Sequence, residues 1–217
     1  MGINGRVASQ TARVLVVDDH SAVRSGIEAL LAGEPGLEPV ATACGAAEAL
    51  SLARERRPDV AIVDFQLGDL DGLSLCRQLK ELPDPTGVVL YSAYADGPLA
   101  LAGVIAGADG VVHKSALASE LCDTVRTVAA GGTAIPPAAP GAHAVVAARL
   151  DPEDLPILAM LLDGTAPEEI ARVLGMGPGW LAARRWGMLE RLRRLPTRRD
   201  ATADRDEPDW PEDTLRA

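Results

Sequence analysis

Four short apolar runs, each closed by a charged or hydroxyl side chain, constrain this chain more than any other feature. They are Arg13–Val17 before Asp18 and Asp19, Val60–Val63 before Asp64, Val88–Tyr91 before Ser92, and Val111–His113 before Lys114. Runs this short and this rich in β-branched residues read as strands buried on both faces. The stretches between them carry helical spacing instead, as in Leu50, Leu52, Ala53 and in Leu73, Leu75, Cys76, Leu79. The pattern predicts strands over 13–18, 38–43, 59–64, 87–92 and 110–113. Helices are expected over 21–33, 45–56, 72–81, 97–107 and 115–130. Strands alternating with helices give an α/β fold, a five-stranded doubly wound parallel sheet. In such a sheet the carboxyl ends of the strands open onto one crevice. Asp18, Asp19, Asp64, Ser92 and Lys114 then share it.

Three carboxylates, a hydroxyl and an ammonium in one pocket suit a divalent cation together with a phosphoryl group. Magnesium takes a few carboxylate oxygens, keeps several waters and completes its shell from substrate oxygens. A carboxylate beside such a cation is able to act as a nucleophile toward phosphorus. Ser92 is placed to donate to one phosphoryl oxygen, and Lys114 to make a charge-assisted contact with another.

Composition sets the outer bounds. A chain of 217 residues has room for one larger and one small domain. Hydrophobic residues make up 47% but aromatics only 3%, so the core must be built from Ala, Val and Leu. The formal net charge of −10 is unfavourable for holding nucleic acid, so any such role depends on how charge is distributed. Cys44, Cys76 and Cys122 are odd in number, widely spaced and free of metal-type grouping, as expected of reduced, mostly buried thiols in a cytoplasmic protein. Residues 1–12 lack the apolar centre of a signal peptide, and Gly97 and Pro98 break the longest weakly charged stretch, so no membrane span is expected.

The segments Val16-Val17-Asp18-Asp19-His20, Asp64 to Gly72, Tyr91-Ser92-Ala93 and Ala106-Gly107-Ala108-Asp109-Gly110 leading to Lys114 resemble the receiver domain of two-component response regulators. Their order and spacing match over roughly residues 11–131. His20 after the acidic pair is similar to the NarL/FixJ subfamily. The resemblance implies a flavodoxin-like receiver in which Asp64 accepts a phosphoryl group from a sensor histidine kinase. It implies a magnesium ion held by Asp18, Asp19, Asp64 and the backbone carbonyl of Gln66, with Ser92 and Lys114 on the phosphoryl oxygens. Two positions depart from the pattern. Gly68 stands where a proline is usual, which frees the loop after Asp64. Val111 stands where a switch aromatic is usual, three residues before Lys114, so no ring can follow Ser92 inward. Tyr91 or Tyr94 is a possible substitute, though packing is the simpler role for each.

The domain organisation expected is a receiver over 1–131, a Gly/Pro/Ala linker over 132–147, a second compact unit over 148–195, and an acidic, disordered tail over 196–217. The second unit has an apolar helix stopped at Gly164 and interrupted by Pro156. A short helix capped by Thr165 and stopped at Gly175 follows, then a third helix from Pro178 to Leu192. Two short helices joined by a Gly-containing turn form a helix-turn-helix. Glu169-Ile170-Ala171-Arg172 with Leu174-Gly175 resembles the LuxR-type DNA-binding domain. The third helix carries Trp180, Ala182 and Ala183 where the family has polar, base-reading residues, so hydrogen bonding to base edges is weakened. Residues 179–199 nevertheless hold seven Arg against one acid. Arg184, Arg185, Arg191, Arg193 and Arg194 are the expected contacts to DNA phosphate.

The leading functional reading is a phosphorylation-responsive regulator of transcription, not an enzyme, working with a sensor histidine kinase, DNA and a second copy of itself. The alternative is a regulator whose degenerate helix-turn-helix binds a protein, or one that acts without phosphorylation because Val111 breaks the usual coupling. A phosphatase built on Asp64 is disfavoured, because Gln66 stands where a second acid would be needed.

Overall fold

The computed structural model describes residues 11–192 except 69, 94–96 and 139. The chain runs β1 (Ala12–Val17), α1 (Ser21–Gly33), β2 (Leu37–Ala43), α2 (Ala46–Arg56), β3 (Val60–Asp64), α3 (Gly72–Lys80), β4 (Gly87–Ser92), α4 (Pro98–Ala106), β5 (Gly110–His113) and α5 (Ala118–Ala129). All strand pairs are parallel, in the order β2-β1-β3-β4-β5. The order reverses between β1 and β3, which places the crevice beside the ends of those two strands. Both carry acids there: Asp18 follows β1 and Asp64 closes β3.

Alternation along the strands separates two apolar layers. Val14, Val16, Val60, Ile62, Val89 and Val112 face α1 and α5. Leu15, Val17, Ala61, Val63, Val88, Leu90 and Val111 face α2, α3 and α4. Small side chains let the helices approach closely, as the scarcity of aromatics requires. A Cβ on Gly103 of α4 would come within 2.9 Å of Leu90 and 3.4 Å of Val111. The space over β5 at position 111 is thus valine-sized. The α5 stripe is core: Leu121, Val125 and Val128 are buried and only Leu117, just before the helix, is 75% exposed.

The second unit contains α6 (Ala142–Ala147), a single 3₁₀ turn (Pro152–Asp154), α7 (Leu155–Leu162), α8 (Pro167–Val173) and α9 (Pro178–Leu192). Three local expectations change. The stretch read as linker ends in a helix, because Ala142 and Val146 have an apolar surface to bury on α4. Pro156 does not interrupt a helix; it lies in the first turn of α7, where its missing N–H costs nothing. Ala166, not Thr165, is the N-cap of α8, and Pro167 opens that helix. Gly164 and Gly175, at φ 77° and 65°, do end α7 and α8 as expected.

The second unit rests on the receiver. α4 contacts α6, α7 and α9, and one continuous apolar cluster runs from Leu15 and Val63 through α4 to Ile157, Met188 and Leu189. The start of the linker is pinned alongside β5, where Ala134 donates to the Asp109 carbonyl and Val111 donates to the Ala134 carbonyl. Cys76 and Cys122 are buried and Cys44 is exposed; burial pushes the Cys76 thiol up to about 12. Among the described residues no helix is long and apolar enough to cross a membrane.

Gly72 opens α3 with its Cα against the carbonyl of Asp64; an added Cβ would sit 2.3 Å from that oxygen and 2.9 Å from the Phe65 Cα. These are backbone atoms and cannot swing aside. Gly72→Ala is expected to lower unfolding stability by about 1–3 kcal/mol, as overpacking does. Urea denaturation measures this, and an unchanged midpoint would contradict the close approach.

Candidate phosphoryl-accepting site

The crevice is assembled by turns that fix each acid. After β1 the chain turns at Asp18, whose buried carboxylate accepts from the His20 backbone N–H at 2.8 Å. Its backbone carbonyl accepts from the Arg24 guanidinium at 2.6 Å, tying the turn to α1. Asp64 ends β3, and the loop behind it is closed by an isolated antiparallel bridge between Gln66 and Asp71. Asp71 caps α3 by accepting from the Ser74 N–H at 2.9 Å. Ser92 ends β4, buried, and its carbonyl accepts from the Lys114 N–H at 2.9 Å.

Lys114 brings the acids together. Its Nζ lies 2.7 Å from Asp18 Oδ2 and 2.9 Å from Asp64 Oδ2, so one ammonium serves two buried carboxylates. Burial works against the Lys114 charge, but its hydrogen bonds to Asp18 and Asp64 outweigh that and hold its pKa above the ordinary lysine value. Burial likewise pushes Asp64 above the usual carboxylate range, and the Asp18 charge adds to this. The Lys114 contact and the Gln66 N–H pull it back only in part. Asp64 is therefore short of positive charge.

Ligand atoms of Asp18, Asp19, His20 and Asp64 lie within 4.8 Å of one another. The carboxylates are hard oxygen donors, and the deficit at Asp64 is of the sign a cation would relieve, so the set fits magnesium. His20 had served only as a family marker. Its exposed ring lies 2.6 Å from Asp19 Oδ1, so it shares the rim of the site. Its place directly after the acidic pair was the available signal. Tyr91 packs on the α1/α5 side and donates to the Lys114 carbonyl at 3.3 Å, bracing the β5–α5 loop. Tyr94 lies outside the described residues.

The response-regulator receiver-domain family matches residues 14–126. Over 182 residues the chain is 35% identical to the transcriptional regulatory protein UhpA of Salmonella typhimurium, covering 82% of this chain and 90% of UhpA. A LuxR-family two-component response regulator from Aurantimonas is similar in structure, with TM-score 0.56 and 34% identity over 59% of this chain and 91% of that one. The chain is a response regulator of the LuxR/NarL family. The response regulator RcsB in its DNA complex shares the fold across both halves, with TM-score 0.58 at 18% identity over 87% of this chain and 95% of that one.

In the C-terminal half of this regulator the arginines expected on DNA have partners within the chain. Asp154 is fully buried and accepts from the Arg184 Nε and, at 3.0 Å, from Arg191 Nη1. Glu153 accepts from Arg184 at 3.1 Å, and Asp151 binds Arg191 as well. Arg185 points the other way, donating to the Ile105 carbonyl at the end of α4 at 2.9 Å. In this conformation Arg184, Arg185 and Arg191 do not form one outward basic face. Arg193, Arg194 and the acidic tail over 196–217 lie outside the described residues. The acid-paired role of Arg184 and Arg191 was missed, although Asp151 and Asp154 at a spacing of three, opposite arginines at a spacing of seven, would have signalled it.

The sign of the Asp64 shift gives a test. Because the folded state binds the Asp64 proton more tightly than the unfolded chain does, the associated stability is present below the ordinary aspartate pKa. It is lost as pH rises through the higher folded value. At neutral pH the charge is a net cost. Asp64→Asn should therefore be more stable than the parent at pH 7 in metal-free buffer, by about 0.5–2 kcal/mol, with the gain shrinking toward pH 4. Thermal melts across that range decide the matter, and a less stable variant at pH 7 would reverse the assignment.

Proposed function

We propose that this response regulator takes a phosphoryl group onto Asp64 from a sensor histidine kinase and, in response, controls transcription by binding DNA. The observation that carries this reading is the Lys114 ammonium held between Asp18 and Asp64, beside a further carboxylate at Asp19. In the transfer an Asp64 oxygen forms a bond to phosphorus as the bond to the kinase histidine breaks, and that histidine keeps the electron pair and gains a proton. The product is an acyl phosphate, whose slow hydrolysis is turnover of the regulator's own modification, not catalysis on a separate substrate.

Asp18, Asp19, Asp64 and the Gln66 carbonyl would hold magnesium, which when bound offsets the charge that gathers as a carboxylate meets a phosphoryl group. Lys114 is poised to exchange part of its contact with Asp64 for a phosphoryl oxygen, keeping Asp18 as its anchor. Ser92, at the end of the adjacent strand, is the hydroxyl that would donate to a second oxygen. The coupling to the output half runs through α4, the next element in the chain after β4 and Ser92, whose last turn receives Arg185. DNA binding by α9 calls for Arg185 to leave α4. It also calls for Arg184 and Arg191 to exchange acids for phosphate, and a second copy would supply the other half-site contact.

The test pairs labelling with DNA capture. With acetyl phosphate and magnesium, intact-mass analysis should find one phosphoryl group on the parent and none on Asp64→Asn, and Asp19→Asn should need roughly tenfold or more magnesium for the same extent. Genomic fragments should be enriched more strongly with beryllium fluoride and magnesium than without. Labelling that persists in Asp64→Asn would remove Asp64 from the role, and no enrichment in either state would remove DNA.

A further inference from the structure

A cleft of about 1040 Å³ lies between the receiver and the C-terminal half, bounded by α3, α4, the linker and α9. Its walls are apolar for the most part, with Leu101 and Val104 from α4, Leu189 and the Trp186 ring from α9, and Ile135 from the linker. Clefts of this size and lining at domain boundaries are the usual sites for small organic ligands. The linker side is fixed by the pairing of Ala134 with β5, so the space is not a loose gap.

Charge within the cleft is uneven in a specific way. Arg77 pairs with Glu81 at 2.6 Å, and Lys80 with Asp109 at 2.8 Å. Arg185 has no such partner among the described residues: its one hydrogen bond goes to a neutral carbonyl, that of Ile105. Glu168 and Glu81 act on it only from a distance, and burial pulls its pKa below the ordinary arginine value. A partly buried guanidinium without an acid partner is stabilised when an anion reaches it. Arg77 adds an orphan donor, since its Nε is buried without a hydrogen-bond partner while its guanidinium stacks 4.6 Å from the Trp186 ring.

We infer that this cleft binds a small amphipathic organic acid, its carboxylate on Arg185 and its apolar frame between α4 and the Trp186 face of α9. One unpaired cation calls for a monoanion rather than a phosphate ester, and a planar guanidinium matches a carboxylate in geometry. The frame replaces water against aliphatic walls and a tryptophan. The site draws residues from both halves, so its occupant is linked to how they associate.

The probes are 1-naphthaleneacetate and decanoate, each beside its neutral amide, titrated calorimetrically into the full chain. Both acids should bind with Kd below roughly 1 mM and more tightly than their amides. Arg185→Gln should weaken the acids by roughly tenfold or more, the scale of a lost charged hydrogen bond, and leave the amides within about twofold. Val104→Phe, which narrows the cleft from α4, should weaken acids and amides alike. Far-ultraviolet circular dichroism matching that of the parent establishes that both variants are folded. Equal binding of acid and amide, acid binding that survives Arg185→Gln, or tighter binding of 1-naphthyl phosphate than of the carboxylate would each overturn the proposal, as would no binding by any probe.

Discussion

Burial of α4 on two sides is the constraint around which the two halves are arranged. Its sequence, Pro98 to Ala106, has no charged residue, and seven of its nine residues are buried. A receiver helix that packs only on its sheet needs one apolar stripe. This one has a second apolar face, which water would meet if α6, α7 and α9 were absent. The hydrophobic effect therefore joins the halves before any specific contact is counted. The specific contacts add direction. Arg185 meets the negative end of the α4 dipole, and Arg77 stacks on Trp186.

Much of the receiver was legible because a parallel sheet writes its register into the sequence. Every strand but β2 is a largely apolar run that leads to a polar residue at its carboxyl end, and each is followed by a helix. Asp18, Asp64, Ser92 and Lys114 could be assigned to one crevice without knowing any distance, since strand order and polarity force them together. The absence of a ring at Val111 was also readable, and its physical partner was not. Gly103 brings α4 close to β5 there, and only the three-dimensional approach explains why a valine fits.

The C-terminal half was less legible because charge along a sequence does not reveal what it faces. Seven arginines against one acid read as a surface for phosphate. In the fold, Arg184 and Arg191 lie on the same side of α9 and close on Asp151, Glu153 and Asp154 from the turn before α7. A buried carboxylate such as Asp154 is tolerated only with this pairing. Likewise the apolar character of α4 was visible as a run of residues, but a strand–helix–strand reading accounts for only one of its faces. What covered the other depended on a contact between segments far apart in sequence.

Asp64 in the receiver crevice and Arg185 on α9 are two charges that the described residues balance only in part. At the carboxyl ends of β1 and β3, Asp64 shares a single ammonium with Asp18 and is left short of positive charge. At the far end of α4, Arg185 is held against a carbonyl and is left short of negative charge. A charge kept in deficit inside a fold stores a preference for a ligand of opposite sign. The first deficit favours a cation and a phosphoryl group acting together, and the second favours an organic anion. α4 follows β4 in the chain and its Ile105 carbonyl holds Arg185, so a shift of α4 is the route by which chemistry beside Ser92 would reach the Arg185 site. A ligand at either one biases the other only through the free-energy difference between α4 packed on α9 and α4 released from it.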